Sequence, residues 1–229
     1  MRSFVIIEKT LEFLFPRSCL CCGRMGEAVC GDCKSKKLKI YKTSCHVCKE
    51  RVSFYEGFVH EACKGKTNLE GVFVAYKYSP EIERIVSEVK YKGYHSISDQ
   101  IAGLILQSVP KNLEIHSITA VPLHKRKQWK RGFNQAELFG RMISKKTQIP
   151  YKNCFSRIKN TKTQVGMSRE ERIANLKNAF QMNLFISNLE SVLIVDDIMT
   201  TGTTLEQCAN QLKRQNKKIK IYATVLARG

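Results

Sequence analysis

The chain has 229 residues, 43% hydrophobic and 26% charged, with 13 Gly and 5 Pro scattered along it; this excludes collagen-like, mucin-like and disordered chains and fits one globular domain with a smaller attachment. Lysine and arginine number 39 against 20 acids, and the net charge of +19 favours polyanionic partners such as nucleic acid, phosphorylated ligands or acidic lipid. Residues 115–169 carry 13 of those cations against one acid, Glu137, so +12 of the excess lies in one stretch.

At the N-terminus, Phe4, Ile7, Leu11 and Leu14 fall on one helical stripe, read as an amphipathic helix over residues 1–18 that packs on its own chain or contacts a partner or membrane. Glu8, Lys9 and Glu12 interrupt its centre and no small-residue cleavage site follows. It is therefore neither a membrane span nor a signal peptide, and the expected location is cytoplasmic, with a peripheral position at the inner membrane as the alternative.

Eight of the 10 cysteines lie between Cys19 and Cys63. They form pairs with two intervening residues: Cys19 and Cys22, Cys30 and Cys33, Cys45 and Cys48, then His60 and Cys63, with Cys21 left over. One tight turn with this spacing aims two ligands at one ion, so four turns make two tetrahedral sites. The simplest partition puts Cys19, Cys22, Cys30 and Cys33 on one structural zinc and Cys45, Cys48, His60 and Cys63 on another; interleaved pairing stays open. A disulfide framework needs an oxidising compartment, and an iron–sulfur cluster is a third option. With four protein ligands each site is closed to water and reads as structural, supplying folding energy to a lysine-rich head over residues 19–68. Cys154 and Cys208 read as small buried residues, Cys208 sharing a helical stripe with Leu205, Ala209 and Leu212.

From residue 69 to 229 strands and helices alternate. Val72 to Tyr78 reads as a strand, Pro80 opens a helix with Ile82, Ile85, Val86 and Val89 on one face, and Ser98 to Ser108 is a second helix. Ser117 to Leu123 is a strand, and Asn134 with Glu137 resembles a capping box. Tyr151 to Ser187 shows no regular pattern. Ser191 to Asp196 is an apolar run of the kind buried on both faces of a parallel sheet; Thr204 to Gln215 is a helix and Lys220 to Ala227 a final strand. The expected fold class is α/β, a doubly wound, mostly parallel sheet behind a small N-terminal zinc-binding head.

Two stretches carry chemistry. Lys125, Arg126, Lys127, Lys130 and Arg131 surround the only tryptophan, Trp129, with Phe133 close behind. Cations with a stacking ring suit single-stranded nucleic acid. The alternatives are a solvated loop with Trp129 packed inward, or service of Arg126 or Arg131 to a pyrophosphate. The second stretch runs from Val192 through Asp196 and Asp197 to Thr204: strand, carboxylate pair, then a Thr/Gly loop opening a helix. Backbone N–H groups and hydroxyls of Thr200, Thr201, Gly202, Thr203 and Thr204 would cradle a phosphate. Asp196 and Asp197 accept hydrogen bonds only, so they suit ribose hydroxyls or water on magnesium. A ribose 5-phosphate satisfies both halves. Neither a Walker loop nor a GxGxxG fingerprint occurs.

Four apolar residues, two acids and a Thr/Gly loop resemble the phosphoribosyl-pyrophosphate signature of type I phosphoribosyltransferases. The resemblance extends to the ComF (competence protein F) family through Phe15-Pro16-Arg17, Lys90-Tyr91 with Gly93, Val121-Pro122-Leu123-His124, Arg131-Gly132-Phe133-Asn134-Gln135-Ala136, and Gln164 with Arg172, Asn175, Ala179 and Phe180. It implies that Asp196 and Asp197 hold the ribose hydroxyls as the catalytic-type pair and Thr200 to Thr204 the 5-phosphate. It further implies a pyrophosphate loop at Pro122, Leu123 and His124, with Arg126 as a further candidate, a flexible loop near Thr163 and Gln164, and magnesium bridging pyrophosphate and ribose. The zinc head stands where a base-recognising hood would lie. The role implied is handling of incoming single-stranded DNA in natural transformation, with a helicase-type ATPase as partner. The alternative is an active phosphoribosyltransferase that forms an N-glycosidic bond and releases pyrophosphate; a third reading is a regulator that senses phosphoribosyl pyrophosphate.

Overall fold

The computed structural model describes residues 18–52, 58–92, 95–159, 169–176, 178–184 and 188–229. The stripe from Phe4 to Phe15, the Phe15-Pro16-Arg17 motif, Gly93 and the loop at Thr163 and Gln164 lie outside them. In chain order the described elements are α1 (Gly31–Lys36), a short 3-10 turn (Glu61–Cys63), β1 (Gly71–Lys77), α2 (Pro80–Lys92), α3 (His95–Leu106), β2 (Ser117–Ala120), α4 (Lys125–Arg131), α5 (Gln135–Thr147), β3 (Phe155–Arg157), α6 (Arg169–Leu176), β4 (Phe180–Met182), β5 (Ser191–Met199), α7 (Thr203–Gln215) and β6 (Lys220–Arg228).

Four strands form a parallel sheet in the order β1-β6-β5-β2. Alternate side chains of β5 leave by opposite faces. Leu193 and Val195 enter a core with Ile82, Ile85 and Val89 of α2, Ile101 and Ile105 of α3 and Phe139 and Ile143 of α5. Val192 and Ile194 enter the other core, with Leu176 of α6 and Leu205, Cys208, Ala209 and Leu212 of α7. Helices thus cover both faces, and the fold is doubly wound α/β. Both faces of β5 being apolar is why its sequence is a continuous hydrophobic run rather than an alternating one.

Three segments differ from expectation. β2 ends at Ala120 rather than Leu123: Val121 still donates to the Val195 carbonyl at 3.0 Å, after which Pro122 has no N–H to offer. Within the supposedly irregular span, β3 and β4 pair antiparallel, Phe155 opposite Met182 and Arg157 opposite Phe180, and α6 lies between them in sequence. Strands of three residues are too short to show a period; the buried rings of Phe155 and Phe180 hold them to the core. The third is Lys125–Arg131, to which the sequence assigned no element beyond the alternative of a solvated loop, and which is a helix. His124 Nδ1 accepts from the Arg126 N–H at its start, and Gly132, at φ 84°, ends it in the left-handed region.

The head borrows core from the sheet domain. Val29 and Leu38 share a hydrophobic cluster with Ile85 and Ile101, Val29 N–H donates to Gln100 Oε1 at 2.9 Å, and residues 39–41 pair along the edge of β1, Tyr41 N–H to Ala75 O at 3.0 Å and Lys77 N–H to Lys39 O at 2.8 Å. A lysine-rich segment of this size has few aliphatics to bury and finds them in its neighbour.

Candidate functional site

In the head, the ligand atoms of Cys19, Cys22, Cys30 and Cys33 lie within 4.8 Å of one another, as do those of Cys45, Cys48, His60 and Cys63. The pairs therefore group sequentially, not interleaved. Cys22 Sγ and Cys30 Sγ are 3.7 Å apart, close to the edge of roughly 3.8 Å that a tetrahedron with Zn–S bonds of about 2.3 Å would have. His60 Nε2 lies 2.9 Å from the Arg51 carbonyl and so donates to it, turning the bare Nδ1 toward Cys48 Sγ at 3.2 Å; this is the tautomer a metal ligand needs. Burial would raise the Cys19 and Cys45 thiols, yet backbone N–H groups aimed at their sulfurs hold both down to about 6, favouring thiolate at neutral pH. Both groups are compatible with structural zinc. Cys21 is buried outside the cluster, its thiol pushed up to about 11 mainly by that burial. Cys154 and Cys208 are fully buried apolar residues, as expected.

At the carboxyl end of the sheet, Asp196 and Asp197 open into a pocket of about 240 Å³. Burial, then the charge of Asp197, drives the Asp196 carboxyl well above the ordinary carboxylate range, with the Arg157 guanidinium pulling the other way. Asp197 Oδ2 accepts from Gln135 Nε2 at 2.8 Å and faces Lys90 Nζ at 3.8 Å, and Arg131 reaches the Gln135 amide oxygen. Lys127, Arg131 and Arg157 complete the cationic wall. Burial first, then the charges of Arg157 and Arg131, lowers the Lys127 ammonium. Two carboxylates amid four cations make a pocket with net demand for an anion and, at one end, acceptors for hydroxyls.

Of the residues expected to bind a ribose phosphate, Pro122, Leu123, Asp196, Asp197 and Thr204 line this pocket. Thr200 and Thr201 are exposed, and Thr201 Oγ1 contacts Thr203 Oγ1 at 2.8 Å. Gly202 sits at φ 79° as the N-cap of α7, a left-handed conformation that suits glycine, with no side-chain cap on the helix. His124 lines a neighbouring cleft, and Arg126 is exposed. Of the residues expected to bind nucleic acid, Lys127 and Arg131 face the Asp196 pocket, Lys125 is exposed and lines the neighbouring cleft, and Arg126, Lys130 and Trp129 are exposed. Trp129 is 87% exposed, so it does not pack inward.

Lys90, Gln135 and Arg157 were not among the expected site residues. Lys90 and Gln135 stand in motifs that carried the family resemblance; Arg157 lies on a strand with no periodic signal. The head reaches the Thr200–Thr204 loop through Glu206 in the first turn of α7, whose carboxylate accepts from Thr67 Oγ1 and the Asn68 N–H, each at 2.7 Å. No described helix is long and apolar enough to cross a membrane.

Residues 135–229 match the family model described as phosphoribosyl transferase domain. The chain is 29% identical over 197 residues to Competence protein F of Haemophilus influenzae, covering 81% of this chain and 84% of that protein. It is 34% identical over 144 residues to the DNA utilization protein YhgH of Salmonella typhimurium, covering 60% of this chain and 63% of that protein. To Competence protein ComFC of Bacillus subtilis it is 24% identical over 214 residues, covering 88% and 85%. Similarity to competence proteins along most of the chain, together with the phosphoribosyltransferase-like domain and the two zinc-type clusters, supports the competence protein F (ComF) family as the one this chain resembles.

Proposed function

We propose that this competence-related protein handles incoming single-stranded DNA, with the outer face of α4 as the strand platform, beside a pocket that takes phosphoribosyl pyrophosphate with magnesium. The observation that carries the reading is Trp129. A capped helix holds the only tryptophan of the chain 87% exposed, with Arg126 at i−3 and Lys130 at i+1. An exposed indole between cations offers a face for any base and charge for the backbone, which is what sequence-tolerant strand binding requires. The names of two relatives, a competence protein and a DNA utilization protein, agree with a role on DNA. A helicase-type ATPase of the competence apparatus would be the partner delivering the strand.

In the pocket, Asp196 and Asp197 would accept from ribose hydroxyls, while Lys127, Arg131 and Arg157 would neutralise the pyrophosphate. The acids fit magnesium as acceptors for its bound water. When bound, the ion supplies further charge neutralisation on the pyrophosphate.

Replacing Trp129 by Ala removes no buried contact, so the fold is retained. Fluorescence anisotropy with a labelled oligonucleotide should show a loss of about 1–3 kcal/mol in binding with an unchanged salt dependence, because a stacked ring releases no counterions. Undiminished affinity in Trp129→Ala would remove α4 as the platform.

A further inference from the structure

Next to the Asp196 pocket, and separated from it by the Pro122–Leu123 turn, Asn134 and Arg157 that line both, lies a larger cleft of about 530 Å³. One wall is α4, through Lys125 and Gln128. The other is the β3–β4 pair and its approach, through Asn153, Gln181 and Asn183. The same short helix that turns Trp129 to solvent thus turns Gln128 into a cleft with four more primary amides, of which Asn134 is already bonded to the Val121 carbonyl and the Ala136 N–H. Among the described residues, the side-chain amides of Gln128, Asn153 and Gln181 have no hydrogen-bond partner.

The chemistry of this lining is selective. A primary amide offers both a donor pair and an acceptor, the complement of the edge of a nucleobase. Lys125 and Arg157 stand at the same cleft for a phosphate. The one acid in the lining, Glu137, is held by Arg141 through two bonds of 2.8 and 3.0 Å, so it does not present a free charge to an anion. The volume lies within the range of about 300–1,000 Å³ typical of small-ligand sites. A bare polyanion would need the cations alone, and an apolar ligand would leave the amides unpaired.

We propose that this cleft is a nucleotide subsite, in which the amides of Gln128, Asn153 and Gln181 read a base edge while Lys125 and Arg157 hold its phosphate. This rests on the strand-binding reading where the nucleotide belongs to a single strand that also stacks on Trp129. A free mononucleotide offers the same chemistry.

The test uses the full chain and the double variant N153A/Q181A; both side chains are exposed, and a matched melting curve verifies the fold. Binding is measured for deoxynucleoside monophosphates, for a labelled single-stranded oligonucleotide, and for its abasic counterpart. The double variant should bind the oligonucleotide and the monophosphates about tenfold more weakly than the parent, while the abasic strand, which has no base to read, binds both proteins alike. Monophosphate binding that depends on Asn153 and Gln181, with no strand binding by the parent, would assign the subsite to free nucleotides and end the strand reading. Strand binding that needs Trp129 but ignores Asn153 and Gln181, or monophosphate binding indifferent to them, would overturn the subsite and leave the strand platform standing. Binding of neither probe by the parent would overturn both.

Discussion

Disabling the first cluster as a metal site by Cys30→Ser should unfold the head and lower the melting temperature of the whole chain. Structural zinc supplies apparent binding energies of about 10–16 kcal/mol in small zinc domains, and this head has few aliphatics beyond those it packs on the sheet domain. Its effect does not stop at the head, because Cys19, Cys30, Cys33, Val29 and Leu38 share one core with Ile82, Ile85 and Ile101 of the sheet domain. The second cluster behaves differently. Cys45, Val59 and Cys63 form a small core of their own, so Cys48→Ser should melt the chain less and act through Thr67 and Asn68, which hold Glu206 beside the Thr200–Thr204 loop. Metal analysis with calorimetric melting checks this: two zinc ions per parent chain, one per cysteine variant, and the larger drop for Cys30→Ser. Loss of metal without loss of melting temperature, or an iron–sulfur chromophore, would contradict it.

Asp196→Asn should stabilise the ligand-free protein at neutral pH and abolish binding of phosphoribosyl pyrophosphate. The folded chain holds the Asp196 carboxyl well above its ordinary value of 3.8, so the native state binds its proton more tightly than the unfolded state does. Stability contributed by that proton is present at acid pH and is lost as pH rises from about the ordinary value through the folded one. An amide carries no such penalty. Above pH ~4 the variant should therefore melt higher, by ~2–4 °C for each kcal/mol gained at this chain length, and the gap should close below that pH. Asp197→Asn should not share this gain, because Asp197 already accepts from Gln135 and faces Lys90. Calorimetric titration with magnesium present should show no binding by Asp196→Asn. A lower melting temperature at pH 7 or binding equal to the parent would refute the assignment.

What could be read from the sequence follows from the strength of each local constraint. The zinc clusters were legible because two-residue spacing is itself a geometric statement, and His60 was legible as part of it. β5 was legible because burial on both faces leaves an apolar run that ends where the carboxylates begin. β3 and β4 were not, since three residues cannot display a period and their stability comes from Phe155 and Phe180 packing on distant elements. Helix α4 was hidden by its composition: Lys125 to Arg131 has no buried residue, so no apolar face marks it, and only His124 and Gly132 at its ends hold a signal. Arg157 escaped for the same reason as β3. Sequence could group Lys125, Arg126, Lys127, Lys130 and Arg131 as one basic stretch but could not divide them; the helical turn does, sending Lys127 and Arg131 to the Asp196 pocket and Arg126 and Lys130 to solvent.

That division makes the strand-binding account measurable. Oligonucleotide affinity should be followed by anisotropy across a salt series for the parent and for Lys125→Gln with Arg126→Gln and Lys130→Gln. Each lost phosphate contact removes about 0.7 from the slope of log affinity against log salt for a single strand, so the triple variant should bind more weakly and its slope should flatten by about 2. Lys127→Gln with Arg131→Gln, which face the pocket, should change the slope less. A triple variant with the affinity and slope of the parent would show that the outer face of α4 does not carry the strand.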